Sequence, residues 1–168
     1  MESERSNPCL TCSAQQRCCS QLSGLRLTKD EFEIHFKKHS DGLAIARYEK
    51  TFVVSSHNNG PCPHWGKSGC RIYNDRPIDC RLYPYEITRI SEKRKAIEIT
   101  LLNNPGCPEM DSLLMPFEEA KALIEFFCHT VYGQGKPIII KYIQTRKRSY
   151  LFFDRIRARL SKIIEALR

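Results

Sequence analysis

Nine cysteines, at 9, 12, 18, 19, 62, 70, 80, 107 and 128, constrain this chain more than any other feature. With 168 residues it is the size of one domain, long enough to bury an ordinary hydrophobic core without covalent staples. The thiols therefore need a chemical reason. In a short secreted protein such a count predicts a disulfide framework. Here the opening residues, MESERSNPCLTC, hold no apolar run and no small-residue cleavage site. Nowhere does an apolar stretch approach the roughly 20 residues that a membrane-spanning helix needs. The expectation is a cytoplasmic protein with no transmembrane segment. In that reducing compartment clustered thiols serve as metal ligands or redox groups rather than as structural disulfides.

The local pattern predicts where the thiols sit. Residues 1 to 24 are polar, with four cysteines in eleven residues, and read as a loop ordered by something it binds. Thr28-Lys-Asp-Glu31 has capping-box spacing and precedes Phe32 and Phe36, which predicts a helix over 28–39. Residues 44–48 and 51–55 read as short strands. The segment from His57 to Pro84 is rich in Gly, Pro and Asn and carries Cys62, Cys70 and Cys80. Within it Asn74 or Asp75 can cap a single helical turn begun by Pro77, which aims Cys80 inward.

Residues 85–91 and 95–103 alternate as a hairpin around Glu92-Lys93-Arg94, and the loop after it delivers Cys107. Apolar positions 117, 120, 124, 127 and 131 predict a helix over 116–132, stopped at Gly133. A strand at 137–143 follows. A last helix over 149–167 places Phe152, Ile156, Leu160, Ile163 and Leu167 on one side and arginines on the other. The whole predicts an α+β fold, a small antiparallel sheet with Cys-rich loops and packed helices. Its expected division is a cysteine-bearing domain over 1–135 and a basic amphipathic helical extension over 136–168.

Eight thiols fall in loops or at element ends. Cys128 alone lies on a helix beside an apolar position, where a thiol packs as a small hydrophobe. The candidate metal ligands are therefore Cys9, Cys12, Cys18, Cys19, Cys62, Cys70, Cys80 and Cys107. Cys9 and Cys12 have the two-residue spacing that lets two thiolates converge on one ion. Cys18 and Cys19 are adjacent, and their side chains diverge in an extended segment, so both do not bind one ion side by side. The ligand form is the thiolate, and a four-thiolate centre is anionic. Arg71, Arg76 and Arg81 stand close in sequence to Cys70 and Cys80 and are expected beside the centre as stabilising cations, with Tyr73, Tyr83 and Pro84 as its wall. The alternative is that these arginines pair with Asp75, Asp79 and Glu86 on the surface. His64 can replace one thiol or can simply pack beside Trp65.

These residues, taken together, resemble a known family. Cys9-x2-Cys12, Cys18-Cys19, Cys70-Arg-Ile-Tyr73, Arg76-Pro77, Cys80-Arg-Leu-Tyr-Pro84 and Cys107-Pro108 are similar to the cysteine-cluster family called CxxCxxCC or YkgJ-like, over about residues 9 to 108. The resemblance implies a zinc- or iron-chelating domain or an iron-sulfur protein, and a related domain occurs in flagellin lysine N-methylases. One departure stands out: five residues, Ser13 to Arg17, separate Cys12 from the Cys-Cys pair where the family usually has two or three. The implied cofactor is Zn²⁺ or an iron-sulfur cluster, of which the 4Fe-4S type is one candidate.

The net charge of +8 lies wholly in residues 136–168, where ten Lys and Arg face Asp154 and Glu165. Such a tail suits an acidic partner, a nucleic acid or an anionic membrane surface, or is the solvated face of a helix. Three functions follow as expectations: a metal-binding protein, a protein-lysine methyltransferase-like enzyme, or a nucleic-acid binder with a structural metal. Against the enzyme, no Gly-rich dinucleotide fingerprint or P-loop is present, and Gly133-Gln-Gly135 follows a helix, as a cap does.

Overall fold

Thr28 starts the first helical stretch as its spacing predicts. In the computed structural model its hydroxyl accepts the Glu31 N–H at 3.2 Å, and its own N–H donates to Glu31 Oε2 at 2.8 Å. The structure describes residues 17–67, 69–103 and 115–144. A single α turn (α2, Lys29–Glu31) widens into a π turn over Phe32–Phe36 and tightens into 3-10 turns over Lys37–Gly42. Phe32 and Phe36 are buried along it. A short helix, α1 (Arg17–Ser20), lies in the segment expected to be loop, and a strand, β1 (Leu25–Leu27), follows that segment.

β1 pairs with β3 (Thr51–Ser56), and β3 pairs with β2 (Leu43–Tyr48), both antiparallel. This three-stranded sheet and the helical stretch enclose a first core of Leu22, Leu25, Leu27, Phe36, Leu43 and Val54, with Phe32 stacked on Phe52 at 4.3 Å. A two-residue hairpin follows, β4 (Trp65–Gly66) against β5 (Gly69–Cys70). Gly69 turns it at φ 94, a left-handed conformation that glycine adopts without steric cost. The helical turn expected after Pro77 is α3 (Ile78–Leu82).

β6 (Tyr85–Glu92) and β7 (Ile97–Asn103) form the expected hairpin, with a bulge between Ile87 and Arg89. The expected long helix is α4 (Phe117–Tyr132), ended at Gly133, whose N–H donates to the His129 carbonyl at 3.0 Å with φ 82. β8 (Ile138–Ile143) then pairs with β7, and this pairing is parallel. Two points therefore differ from the expected single antiparallel sheet. There are two three-stranded sheets and a hairpin among the described residues, and one contains a parallel pair. The reason is the connection: α4 carries the chain back along the sheet, so β8 re-enters in the direction of β7.

The second core lies between this sheet and α4. Ile87, Ile90, Ile97, Ile99 and Leu101 face Ala120, Ile124, Phe127 and Cys128, with Ile78 and Leu82 of α3 joining them. Cys128 is fully buried there, the packing role expected of it. α3 thus contributes apolar residues to one core while its Cys80 packs against the other. The architecture is α+β, as the sequence predicts. Although β8 falls in the 136–168 segment, it is paired in register with β7. The loop with Cys107, the first cysteine pair and the helix expected over 149–167 lie outside the described residues.

Candidate metal centre

Cys62 sits in a tight turn, Pro61-Cys62-Pro63-His64-Trp65, closed by the Trp65 N–H donating to the Cys62 carbonyl at 2.9 Å. In that turn the amides of His64 and Trp65 point at the Cys62 sulfur, favouring its ionised form. The turn is anchored from behind, because the Cys62 N–H donates to the Cys19 carbonyl at 2.8 Å. Leu22 N–H to Gly60 carbonyl and Ser56 N–H to Leu22 carbonyl, both 3.0 Å, continue that anchorage. Backbone pairing therefore holds the Cys18-Cys19 segment against the Cys62 turn.

The hairpin supplies the second thiol. Trp65 lies opposite Cys70 across β4 and β5, and the Arg71 N–H donates to the His64 carbonyl at 2.9 Å, so the chain folds Cys70 back toward Cys62. α3 supplies the third, Cys80, and two carboxylates fix that helix. Glu31 Oε1 accepts the Ile78 N–H at 2.7 Å, and Asp79 Oδ2 accepts the Arg26 N–H at 2.9 Å.

Electrostatics link Cys62 and Cys80 to their neighbours. Burial pushes the Cys62 thiol up, and the neighbouring Cys70 adds to the rise, opposed by the two amides and by Arg71. Burial likewise holds Cys80 well above the ordinary thiol value, with Asp79, Cys62 and Cys70 adding to it and Arg76 opposing. Burial also raises the Asp79 carboxyl, to about 6. Cys70 thus makes ionisation of Cys62 more costly, both do so for Cys80, and a nearby cation reverses that cost.

The arginines differ in their placement. Arg71 spans the Cys62 turn, its Nη2 donating to the Pro63 carbonyl at 2.8 Å. Arg76 donates from Nε to the Tyr73 carbonyl at 2.9 Å and lies over the Tyr73 ring at 3.7 Å. Both are near enough to a thiol to favour its anion. Arg81 is exposed on α3.

His64 is buried, and it faces the helical stretch. Its Nε2 lies 2.8 Å from the His35 carbonyl, which can only accept, so Nε2 carries the proton. The rings of Phe36, His39 and His35 stand edge-on to it at 5.2, 5.3 and 6.1 Å. Burial keeps it neutral, reinforced by His39, His35 and Lys38. His35 and His39 escaped the reading of the sequence, although their four-residue spacing on a helix was a usable signal.

Cys62, Cys70 and Cys80 therefore lie near enough for Cys70 to act on Cys62 and for both to act on Cys80, and Cys19 is tied to Cys62 through its backbone. Cys9, Cys12 and Cys107 lie outside the described residues, as does the Cys18 side chain. Among the described residues no group of three or more His, Cys, Asp or Glu side chains is placed to hold a metal ion. The donor chemistry of the described thiols still suits a soft-ligand metal: three sulfurs on three separate elements, amides aimed at one and guanidinium groups near two.

A family model named CxxCxxCC, with the description "Putative zinc- or iron-chelating domain", matches residues 8–108. That span contains all eight candidate ligands and leaves out Cys128. No curated protein and no solved structure matches the chain. Among the described residues no helix is long and apolar enough to cross a membrane.

Proposed function

Because the chain belongs to the CxxCxxCC family, we propose that it holds one zinc ion or one iron-sulfur cluster through thiolates, with Cys62, Cys70 and Cys80 among the ligands. The remaining ligands come from Cys9, Cys12, Cys18, Cys19 and Cys107. Metal binding is supported by the family as a whole. The choice of these three thiols rests on one observation: Cys70 of the hairpin raises the cost of ionising Cys62 in the turn, and both raise that of Cys80 on the helix. Arg71 and Arg76 offset part of the anionic charge of the assembled centre, and Arg81 adds a third cation on the same helix as Cys80. Bound zinc supplies a clasp between the two cores, whereas a bound cluster supplies one-electron chemistry.

Anaerobic purification, elemental analysis and a visible spectrum of one sample test this reading. The expected result is about one zinc per chain without colour, or about four irons with matching sulfide and absorption near 400 nm. Cys62→Ser, Cys70→Ser and Cys80→Ser are each expected to lower metal content, and Cys128→Ser to leave it unchanged. Equal metal content in all four variants would overturn the ligand assignment.

A further inference from the structure

The two cores differ in what closes them. The second is built from twelve buried residues of α3, β6, β7 and α4, with eight partly buried apolar residues packed around it. The first has seven buried residues, all from 22–54, and the partly buried residues packed around it are Phe52, Cys62 and Cys80. Two of these three are thiols assigned above to the metal centre, whereas Cys128 in the second core is outside that assignment. A stretch of fewer than roughly 40 residues seldom holds a core by itself, without a disulfide, a metal or a partner. α3 lies between the two cores. Its Ile78 and Leu82 belong to the second and its Cys80 packs on the first. Tyr132 to Glu49 and Lys50 to Glu92 are further links, but they are polar and solvent-accessible, a kind of contact that contributes little.

We infer that the first core is a metal-dependent unit standing on a metal-independent one: metal held by Cys62 and Cys80 orders residues 25–56, while β6, β7 and α4 keep their structure without it. The inference rests on the proposed assignment of these two thiols as ligands. A metal bound by both joins the turn after β3 to α3, which the second core already holds through Ile78 and Leu82. Its binding free energy then becomes folding free energy for the first core alone. Metal supply thereby sets how much of the chain is folded, and the surface made by β1, β2 and β3 is complete only in the loaded protein.

Hydrogen-deuterium exchange on the full chain, stripped of metal by a chelator under reducing conditions and then reloaded with zinc, tests the inference, with elemental analysis of the same samples. Stripping is expected to speed exchange in peptides from 25–56 at least roughly tenfold and to leave β6, β7 and α4 unchanged, and zinc should restore the slow rate. In Cys62→Ser, a change outside the second core, peptides from 25–56 should exchange fast with or without zinc while β6, β7 and α4 stay protected. Bound zinc with the same exchange at 25–56 before and after stripping would overturn the inference and leave the metal-binding reading intact. Loss of protection in both cores together, on stripping or in Cys62→Ser, would overturn it by making them one cooperative unit. Full protection of 25–56 by zinc in Cys62→Ser would overturn it too, by moving the effect to other ligands. A chain that retains no metal and takes up no zinc would overturn the metal-binding reading and this inference with it.

Discussion

Glu31 Oε1 accepts the backbone N–H of Ile78 at 2.7 Å, across 47 residues of sequence. The other oxygen of the same carboxylate completes the capping box with Thr28. One side chain therefore fixes both the start of the first helical stretch and the start of the short helix that carries Cys80. Glu31→Ala removes a cap and a charge-assisted hydrogen bond together, and is expected to cost about 2 to 3 kcal/mol in urea unfolding. Glu31→Gln keeps an acceptor and should recover about half of that. Because Cys80 rides on the second helix, Glu31→Ala is also expected to lower metal content, whereas an alanine at the exposed Glu33 should leave it unchanged.

The double role of Glu31 also marks how far the sequence could be read. Its bond to Thr28 is local, and the spacing alone reveals it. The bond to Ile78 depends on tertiary structure and leaves no local trace. The same division holds elsewhere. Alternation in β6 and β7 and the apolar stripe of α4 were legible because each buries one face. β4 and β5 were not, since two-residue strands are too short to show a period. Ile138-Ile139-Ile140 reads as a strand, but periodicity does not name its partner or direction, so the parallel pairing with β7 was hidden. At the centre, composition identified the thiols of the 57–84 segment, and only the fold joins Cys62, Cys70 and Cys80 while turning His64 toward His35 and His39.

Cys128 is buried between α4 and the sheet, and burial, with Glu125 adding, pushes its thiol from 9.0 up to about 12. An unfolded chain loses that proton above about pH 9, while the folded chain keeps it until about 12. The unfolded state then binds fewer protons, so stability falls as pH rises through this window, by about 1.4 kcal/mol per unit from this group. Below pH 9 the effect vanishes. Cys128→Ala should therefore shift stability by a constant amount at neutral pH and lose about 2 kcal/mol less than the parent chain between pH 8 and 10.5. Parallel stability curves for the two proteins across that range would contradict the assignment.

Tyr132, on the last turn of α4, donates from its hydroxyl to Glu49 Oε2 at 3.2 Å, and Lys50 lies 5.3 Å from the centre of its ring. These contacts tie the helix of one core to the β2–β3 turn of the other. The pair is exposed, so Tyr132→Phe is expected to cost under about 1 kcal/mol in thermal unfolding. Glu49 itself stands at φ 52, a left-handed conformation unfavourable for a side chain, so Glu49→Gly trades the lost acceptor for relief of strain. Its expected effect is neutral or stabilising by up to about 1 kcal/mol. A larger loss from Glu49→Gly than from Tyr132→Phe would show that the turn depends on the carboxylate for more than this hydrogen bond.

The raised thiols make metal uptake a proton-releasing event. Burial holds Cys80 well above the ordinary value, and Cys62 is raised by burial and by Cys70, so in the metal-free protein both carry protons at neutral pH. A thiol binds as thiolate and must give up its proton to the solvent. Zinc titrated calorimetrically into metal-free protein, in buffers of different ionisation enthalpy, is expected to release at least two protons per ion, one each from Cys62 and Cys80. Apparent affinity should consequently rise with pH across the neutral range, because higher pH lowers the cost of that release. Cys80→Ser should reduce the count by one while weakening binding, and Cys128→Ser should leave both unchanged. Zinc binding with no proton release would mean that no thiol is a ligand, and an unchanged proton count in Cys80→Ser would remove Cys80 from the ligand set.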